Sequence, residues 1–357
     1  MPNAPFTLAG QIGTPGMVIR DDPRADPRMI AVMSAMGLDV APPESPFNAS
    51  APLDLLLQYC ELSEAGFGDL GAALSANAPA IQGVTASTEV IQGVDGNNIN
   101  LYIHRPAAAT GNLPCVLHIH GGGMVILEAA GEGYVRWRNE LAATGLIVVG
   151  VEFRNGGGKL GPHPFPAGLN DCTSALQWVT DNKARLGISK VIISGESGGG
   201  NLTIATTLKA SKEGRIHQVD GVYAQCPYIS GAYDPKAPEL QSLTENDGYF
   251  LGSDAMAIMA KVYDPSGANT TNPLAWPYYA SIDDLRGLPP HVISVNELDP
   301  LRDEGLAFYR KLLAAGVPAV GRTVQGTCHA GDCIFRDAMP EVYLSTIHSI
   351  KSFADSL

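Results

Sequence analysis

From residue 88 onward, short β-branched runs alternate with amphipathic stretches. The β-branched runs fall at 88–94, 99–104, 116–120, 146–153, 191–194, 222–226, 291–295 and 319–324, which predicts eight strands. Between the later ones, apolar residues recur at helical spacing over about 132–144, 171–186, 198–212, 302–315 and 340–354. Strand then helix, repeated, predicts a mostly parallel sheet with helices on both faces, because a parallel connection needs a crossover long enough to hold a helix. The first two strands are joined by Asp95-Gly96-Asn97-Asn98, which is hairpin chemistry, so they are predicted antiparallel at a sheet edge.

Residues 1–80 lack this rhythm and read as Pro-rich turns around two helices, about 27–36 and 52–75. A second irregular stretch, rich in Tyr and Pro, covers 228–285. The predicted organisation is an N-terminal helical cap segment over 1–80 and a catalytic domain over 81–357, to which 228–285 adds a second cap insertion. Leu53, Leu56, Leu57, Leu62 and Phe67 are too apolar for a solvated tail and are expected to face a pocket or the catalytic domain.

Composition narrows the function classes. With 45% apolar and 17% charged residues, the 357-residue chain is neither disordered nor fibrous. Its 23 Lys and Arg against 36 Asp and Glu leave a net charge of -13, so neither a phosphate backbone nor an anionic membrane surface is an expected partner. The apolar run 145–151 is far shorter than the roughly 20 residues of a membrane span, and the first residues show no secretory signal pattern, so a cytoplasmic location is expected. Cys60, Cys115, Cys172, Cys226, Cys328 and Cys333 are widely spaced with no C-x-x-C pair, and read as reduced thiols, mostly in the core.

The chemistry concentrates at Gly195-Glu196-Ser197-Gly198-Gly199, a G-x-S-x-G between a predicted strand and a predicted helix. In that context the serine sits on a sharp turn with its hydroxyl exposed above the carboxyl end of the sheet. A nucleotide-binding loop is the competing reading, but no G-K-[ST] follows these glycines and their spacing is not G-x-G-x-x-G. A serine hydroxyl becomes a useful nucleophile only with a base to take its proton and N–H donors to hold the oxyanion. His118-Ile-His120-Gly121-Gly122-Gly123-Met124 follows the third strand, where side-chain-free residues let backbone amides approach Ser197; His120 itself reads as a loop-orienting hydrogen bonder.

The order serine, acid, histidine places the base after the last strand, at His329 in Gln325-Gly-Thr-Cys-His329. His118 lies within a strand, and His104, His163, His217, His291 and His348 lie far from such a loop. Cys328 lacks an elbow and is not the nucleophile. For the acid, 295–304 offers Glu297, Asp299, Asp303 and Glu304. Pro300 at a first helical position would make Asp299 an N-cap, with Asp303 and Glu304 favoured by the helix dipole, so position alone leaves the choice open.

Together, His120-Gly-Gly-Gly-Met124, Gly195-Glu-Ser-Gly-Gly-Gly-Asn201, Asp299-Pro-Leu-Arg-Asp-Glu-Gly305 and His329 resemble the hormone-sensitive-lipase branch of the α/β-hydrolases. Glu152-Phe-Arg154-Asn155, His163-Pro-Phe-Pro166, Glu245-Asn-Asp-Gly-Tyr-Phe250 and Ala275-Trp-Pro-Tyr278 extend the resemblance to a bacterial esterase of that branch. The resemblance implies the α/β-hydrolase fold, Asp299 as the triad acid, and the amides of Gly122, Gly123 and Gly198 as the oxyanion hole. Gly198 departs from the commoner Ala, and His329-Ala-Gly-Asp332 from the commoner His-Gly-Phe or His-Gly-Ala. The implied activity is hydrolysis of short to medium acyl esters or a lactone through a Ser197 acyl-enzyme, with no metal or organic cofactor. An amidase or thioesterase would share the triad, whereas the non-catalytic ligand-binding members lack the base, which His329 supplies here. A homodimer is compatible with the sequence.

Overall fold

The computed structural model describes residues 8–42, 45–76 and 78–357. Eight strands, β1 (Val84–Gln92), β2 (Asn98–Pro106), β3 (Leu113–Ile119), β4 (Ile147–Val151), β5 (Ile188–Glu196), β6 (Gly221–Gln225), β7 (His291–Asn296) and β8 (Ala319–Val324), form one sheet in the order β1-β2-β4-β3-β5-β6-β7-β8. β1 and β2 are the antiparallel edge hairpin, β2 also runs antiparallel to β4, and every later pairing is parallel. β1 starts at Val84, earlier than its apolar pattern begins, because pairing with β2 continues to Val84 opposite Pro106 through exposed polar positions. It stops at Gln92 because Gly93 already closes the hairpin by donating to the Asn97 carbonyl at 2.7 Å.

The central strands are buried along their length, and alternate residues serve opposite layers. Val116, Val148 and Ile192 pack with Trp137, Leu141, Ile347 and Ile350 from helices Glu132–Ala143 and Pro340–Ser356. Their neighbours Leu117, Val149 and Ile193 face the other way, against Leu169, Cys172, Leu176 and Leu202 of helices Ala167–Asp181 and Gly198–Lys212. Each such buried side chain contributes roughly 1.5–3 kcal/mol. The helix predicted over 171–186 is divided at Asn182, whose side chain bonds back to the Trp178 carbonyl at 2.9 Å, before Gly187 in the left-handed region ends the second piece.

In the N-terminal segment, helix Pro27–Ala35 is opened by Asp26, whose side chain accepts the Arg28 amide. Met29 and Met33 of that helix pack with Ile19 against Leu298, Cys328, Phe335 and Met339. The 23-residue helix Leu53–Ser75 fully buries only Leu56 and Cys60. Leu57 and Phe67 are partly buried against the core, but Leu53 (41% exposed) and Leu62 (76%) face solvent, contrary to expectation, because the helix rests on its neighbours along one narrow side. All six cysteines are free thiols, five of them buried. Among the described residues, no helix is long and apolar enough to cross a membrane.

Candidate active site

β5 ends at Glu196 and a helix begins at Gly198, so Ser197 occupies a one-residue turn with φ 57° and ψ -121°. A non-glycine residue there costs about 1–3 kcal/mol and persists only when its surroundings over-determine it. They do: the Ser197 amide donates to Gln225, and its carbonyl accepts from Asn201 and Tyr228 at 2.9–3.1 Å. The glycines answer to close backbone approach. A Cβ at 195 or 199 would lie 2.3 or 2.0 Å from the Ile119 carbonyl oxygen. At 198 it would lie 2.6 Å from the Gly123 nitrogen and 2.5 Å from that of Met124, so the alanine commoner in this branch fits only if the loop shifts.

That loop carries the other glycines. Glu196 Oε1 accepts the Gly121 amide at 2.6 Å, and the Gly122 carbonyl accepts the amides of Val125 and Ile126 at 3.0 Å. Gly122 has φ 93°, and a Cβ on it would strike the Ile126 carbonyl oxygen at 2.2 Å. Among the described residues, the amides of Gly122, Gly123 and Gly198 donate to no carbonyl, which leaves three donors at the elbow. His120 is buried, stacked on Phe153 at 4.3 Å, and its Nδ1 lies 2.8 Å from the Gly121 carbonyl. Burial lowers its pKa to about 3, so it is a neutral prop of the loop. Burial likewise lowers His104 and His291 to about 4, as packing groups.

After β8 the chain turns back and brings His329 Nδ1 to 2.8 Å from Asp299 Oδ2. Asp299 is wholly buried, and its Oδ1 accepts the Leu301 amide at 2.9 Å. The carboxylate therefore receives the imidazole Nδ1–H, which leaves Nε2 as the basic nitrogen. Burial works against an imidazolium here, but the Asp299 charge and hydrogen bond outweigh it and hold His329 well above its ordinary pKa. Cys226 lies beside the pair, with a donor atom of each of the three residues within 4.8 Å of the others, and burial raises its thiol pKa, so it is a neutral neighbour at physiological pH.

The other three carboxylates of 295–304 have different work. Glu297 pairs with Arg24 and Arg302, and Asp303 accepts the Ser242 amide at 2.8 Å. Glu304, expected to act through the helix dipole, is instead buried, accepting from Ile229, Ser230 and Tyr233. Burial pushes it up to about 7. The helix itself begins at Arg302, beyond Pro300, so the predicted Asp299 N-cap is a turn before the helix. Asn246 Nδ2 donates to the Glu297 and Asp299 carbonyls, both at 3.1 Å, while Glu245 bridges Arg24 and Arg302. These partners come from distant segments; the family resemblance marks Glu245 and Asn246 without giving their role, and nothing in the sequence marks Arg24.

Ser197, His329, Gly122 and Gly123 open into one cavity of about 920 Å³, comparable with small-molecule sites. Phe67 of helix Leu53–Ser75 and Phe250 of 228–285 meet across it edge to face at 6.1 Å. Strand order, serine elbow and buried His–Asp pair define a hydrolase class. A family model described as alpha/beta hydrolase fold matches residues 116–331, and the chain belongs to that family.

Its relatives narrow the class further. An arylesterase of Saccharolobus solfataricus is 32% identical over 234 residues, 64% of this chain and 71% of that protein. Carboxylesterase NlhH of Mycobacterium tuberculosis is 34% identical over 232 residues, 63% and 69% of the two chains. Among solved structures, brefeldin A esterase, a bacterial homologue of human hormone sensitive lipase, matches with a TM-score of 0.95 at 45% identity over 98% of both chains. Esterase Est22 matches with a TM-score of 0.85 at 38% identity, over 94% of this chain and 99% of its own. The chain is an ester-hydrolysing enzyme of the α/β hydrolase class, related to the hormone-sensitive-lipase branch as its motifs imply.

Proposed function

We propose that the enzyme hydrolyses short to medium acyl esters or a lactone through a covalent Ser197 intermediate. His329 Nε2 takes the Ser197 proton as Oγ attacks the ester carbonyl; Asp299 holds the imidazole in the tautomer that exposes Nε2 and stabilises the cation that forms. The amides of Gly122, Gly123 and Gly198 receive the oxyanion, His329 returns its proton to the leaving alcohol, and water repeats the sequence on the acyl-enzyme. The observation that carries this reading is the buried 2.8 Å contact between His329 and Asp299 at the cavity onto which Ser197 opens. Residues 1–80 and 228–285 act as cap segments over the catalytic part, 81–357, and give substrate its apolar surroundings. We place the reaction in the cytoplasm.

The test is labelling of the intact protein by a fluorophosphonate, followed by a panel of p-nitrophenyl esters and macrocyclic lactones. Labelling at Ser197 and turnover of ester or lactone are expected. Labelling at Cys328, or none, sinks the nucleophile, and matched anilide or thioester substrates turned over faster than the ester would reassign the reaction.

A further inference from the structure

The loop bearing Gly122 and Gly123 is held at both ends by carboxylates that lie outside it. At its start the partner is Glu196, next to the serine. At its end Glu64 Oε1 accepts the Leu127 amide at 2.6 Å, and Glu64 comes from helix Leu53–Ser75. The second oxygen of the same carboxylate accepts the Lys159 amide at 2.7 Å. The neighbouring strip 155–159 braces the loop in turn: Gly156 and Gly157 donate to the Met124 and Val125 carbonyls at 2.9 and 3.0 Å, and Asn155 Nδ2 donates to the Leu127 carbonyl at 2.6 Å.

Met124 and Leu127 have φ of 61° and 77°. Two non-glycine residues in that region cost about 1–3 kcal/mol each, so the loop keeps its shape only while its contacts enforce it. The chain has also made room for the carboxylate: Gly158 has φ 57°, and a Cβ there would lie 2.7 Å from Glu64 Oε2. Hydrogen bonds from backbone amides to an ionised carboxylate are roughly twice as strong as neutral ones. One side chain of the cap helix thus joins the strained end of this loop to the strip that braces it.

We infer that Glu64 is a positioning residue for the oxyanion hole, tying the cap helix to the loop that presents the Gly122 and Gly123 amides. The inference rests on the reading of those amides as oxyanion donors. Without the Glu64 carboxylate the Leu127 and Lys159 amides lose their acceptor, the positive φ at Leu127 relaxes, and the two donors drift from the serine. A displacement near 1 Å of a positioned catalytic group costs on the order of 100-fold in rate. A helix that served only as a roof would act otherwise, through binding of long acyl chains.

The experiment compares Glu64→Ala, Glu64→Gln and Asp69→Ala, the last an exposed acid on the same helix, in the full chain. It reads kcat and KM for p-nitrophenyl acetate and octanoate, and inhibition by a trifluoromethyl ketone, whose serine hemiketal places its oxyanion in the hole. Glu64→Ala is expected to lower kcat about 10- to 100-fold on both esters with KM within about twofold, and to weaken the ketone by the same factor. Glu64→Gln keeps one acceptor oxygen and falls between, and Asp69→Ala matches wild type. A loss confined to octanoate and carried by KM overturns the inference, as does unchanged ketone affinity beside a lowered kcat. Should Glu64→Ala fail to fold, Glu64→Gln decides alone, a wild-type kcat being the overturning result. Failure of the underlying reading shows separately, as a wild-type enzyme that the ketone does not inhibit or an active Ser197→Ala.

Discussion

The serine elbow and helix Leu53–Ser75 face each other across one cavity and are built by opposite rules. Around Ser197, backbone meets backbone: glycines at 195, 198 and 199 leave no room for a Cβ. Almost all of helix Gly198–Lys212 is buried. Helix Leu53–Ser75 buries Leu56 and Cys60 and leaves its glycines 66, 68 and 71 with nothing within 4 Å of where a Cβ would stand. Shape at the elbow is therefore over-determined and intolerant, whereas the long helix is held by a few side chains and is tolerant between them. The comparison teaches where mutations act, on chemistry and folding at the elbow and on individual contacts in helix Leu53–Ser75.

The largest break is expected at the nucleophile. Ser197→Ala should lose on the order of 10⁶-fold in kcat while keeping its fold, read as p-nitrophenyl acetate turnover beside circular dichroism. Asp299→Asn follows at about 10⁴-fold, because an amide favours the wrong imidazole tautomer, whereas Asp303→Asn, whose acid binds the Ser242 amide, should stay within a few-fold of wild type. Comparable losses would move the acid away from Asp299.

The pH profile is next in size. In the proposed mechanism His329 takes the Ser197 proton only when neutral, and Asp299 raises its pKa, so kcat/KM should rise with pH through a limb above the ordinary ~6.5 and fall about tenfold per unit below it. Asp299→Asn should move that limb toward acid, and a wild-type limb below 6 would contradict the pairing.

The smallest effects sharpen the comparison itself. Gly199→Ala, with its Cβ 2.0 Å from the Ile119 carbonyl, should destabilise by about 3 kcal/mol or more in urea denaturation. Gly66→Ala, in open space on helix Leu53–Ser75, should stabilise by about 0.5–1 kcal/mol. Similar costs for the two would erase the contrast between the regions.

The chain's own pattern determined the alternating strands and helices, the antiparallel edge hairpin, the elbow at Ser197 and the histidine after the last strand. These features are local: period-two and period-3.6 burial, turn residues and glycine spacing act within a few positions of one another. The acid was a weaker case, since Glu297, Asp299, Asp303 and Glu304 share one stretch and one set of helix-terminus preferences, and the family resemblance chose among them. Only the tertiary structure showed that Asp299 meets the histidine while Glu304 turns inward to Ser230 and Tyr233. Leu53 and Leu62 face solvent despite their apolar character, because apolar content does not say which side of a long helix finds a neighbour. The bonds from Glu64 to Leu127, from Arg24 to Glu245 and from Asn246 to Asp299 join residues 53 to 221 positions apart, where no local preference operates. Such pairs exist because the sheet and its crossovers carry distant segments to the same rim, and their hydrogen bonds form once folding has brought them there.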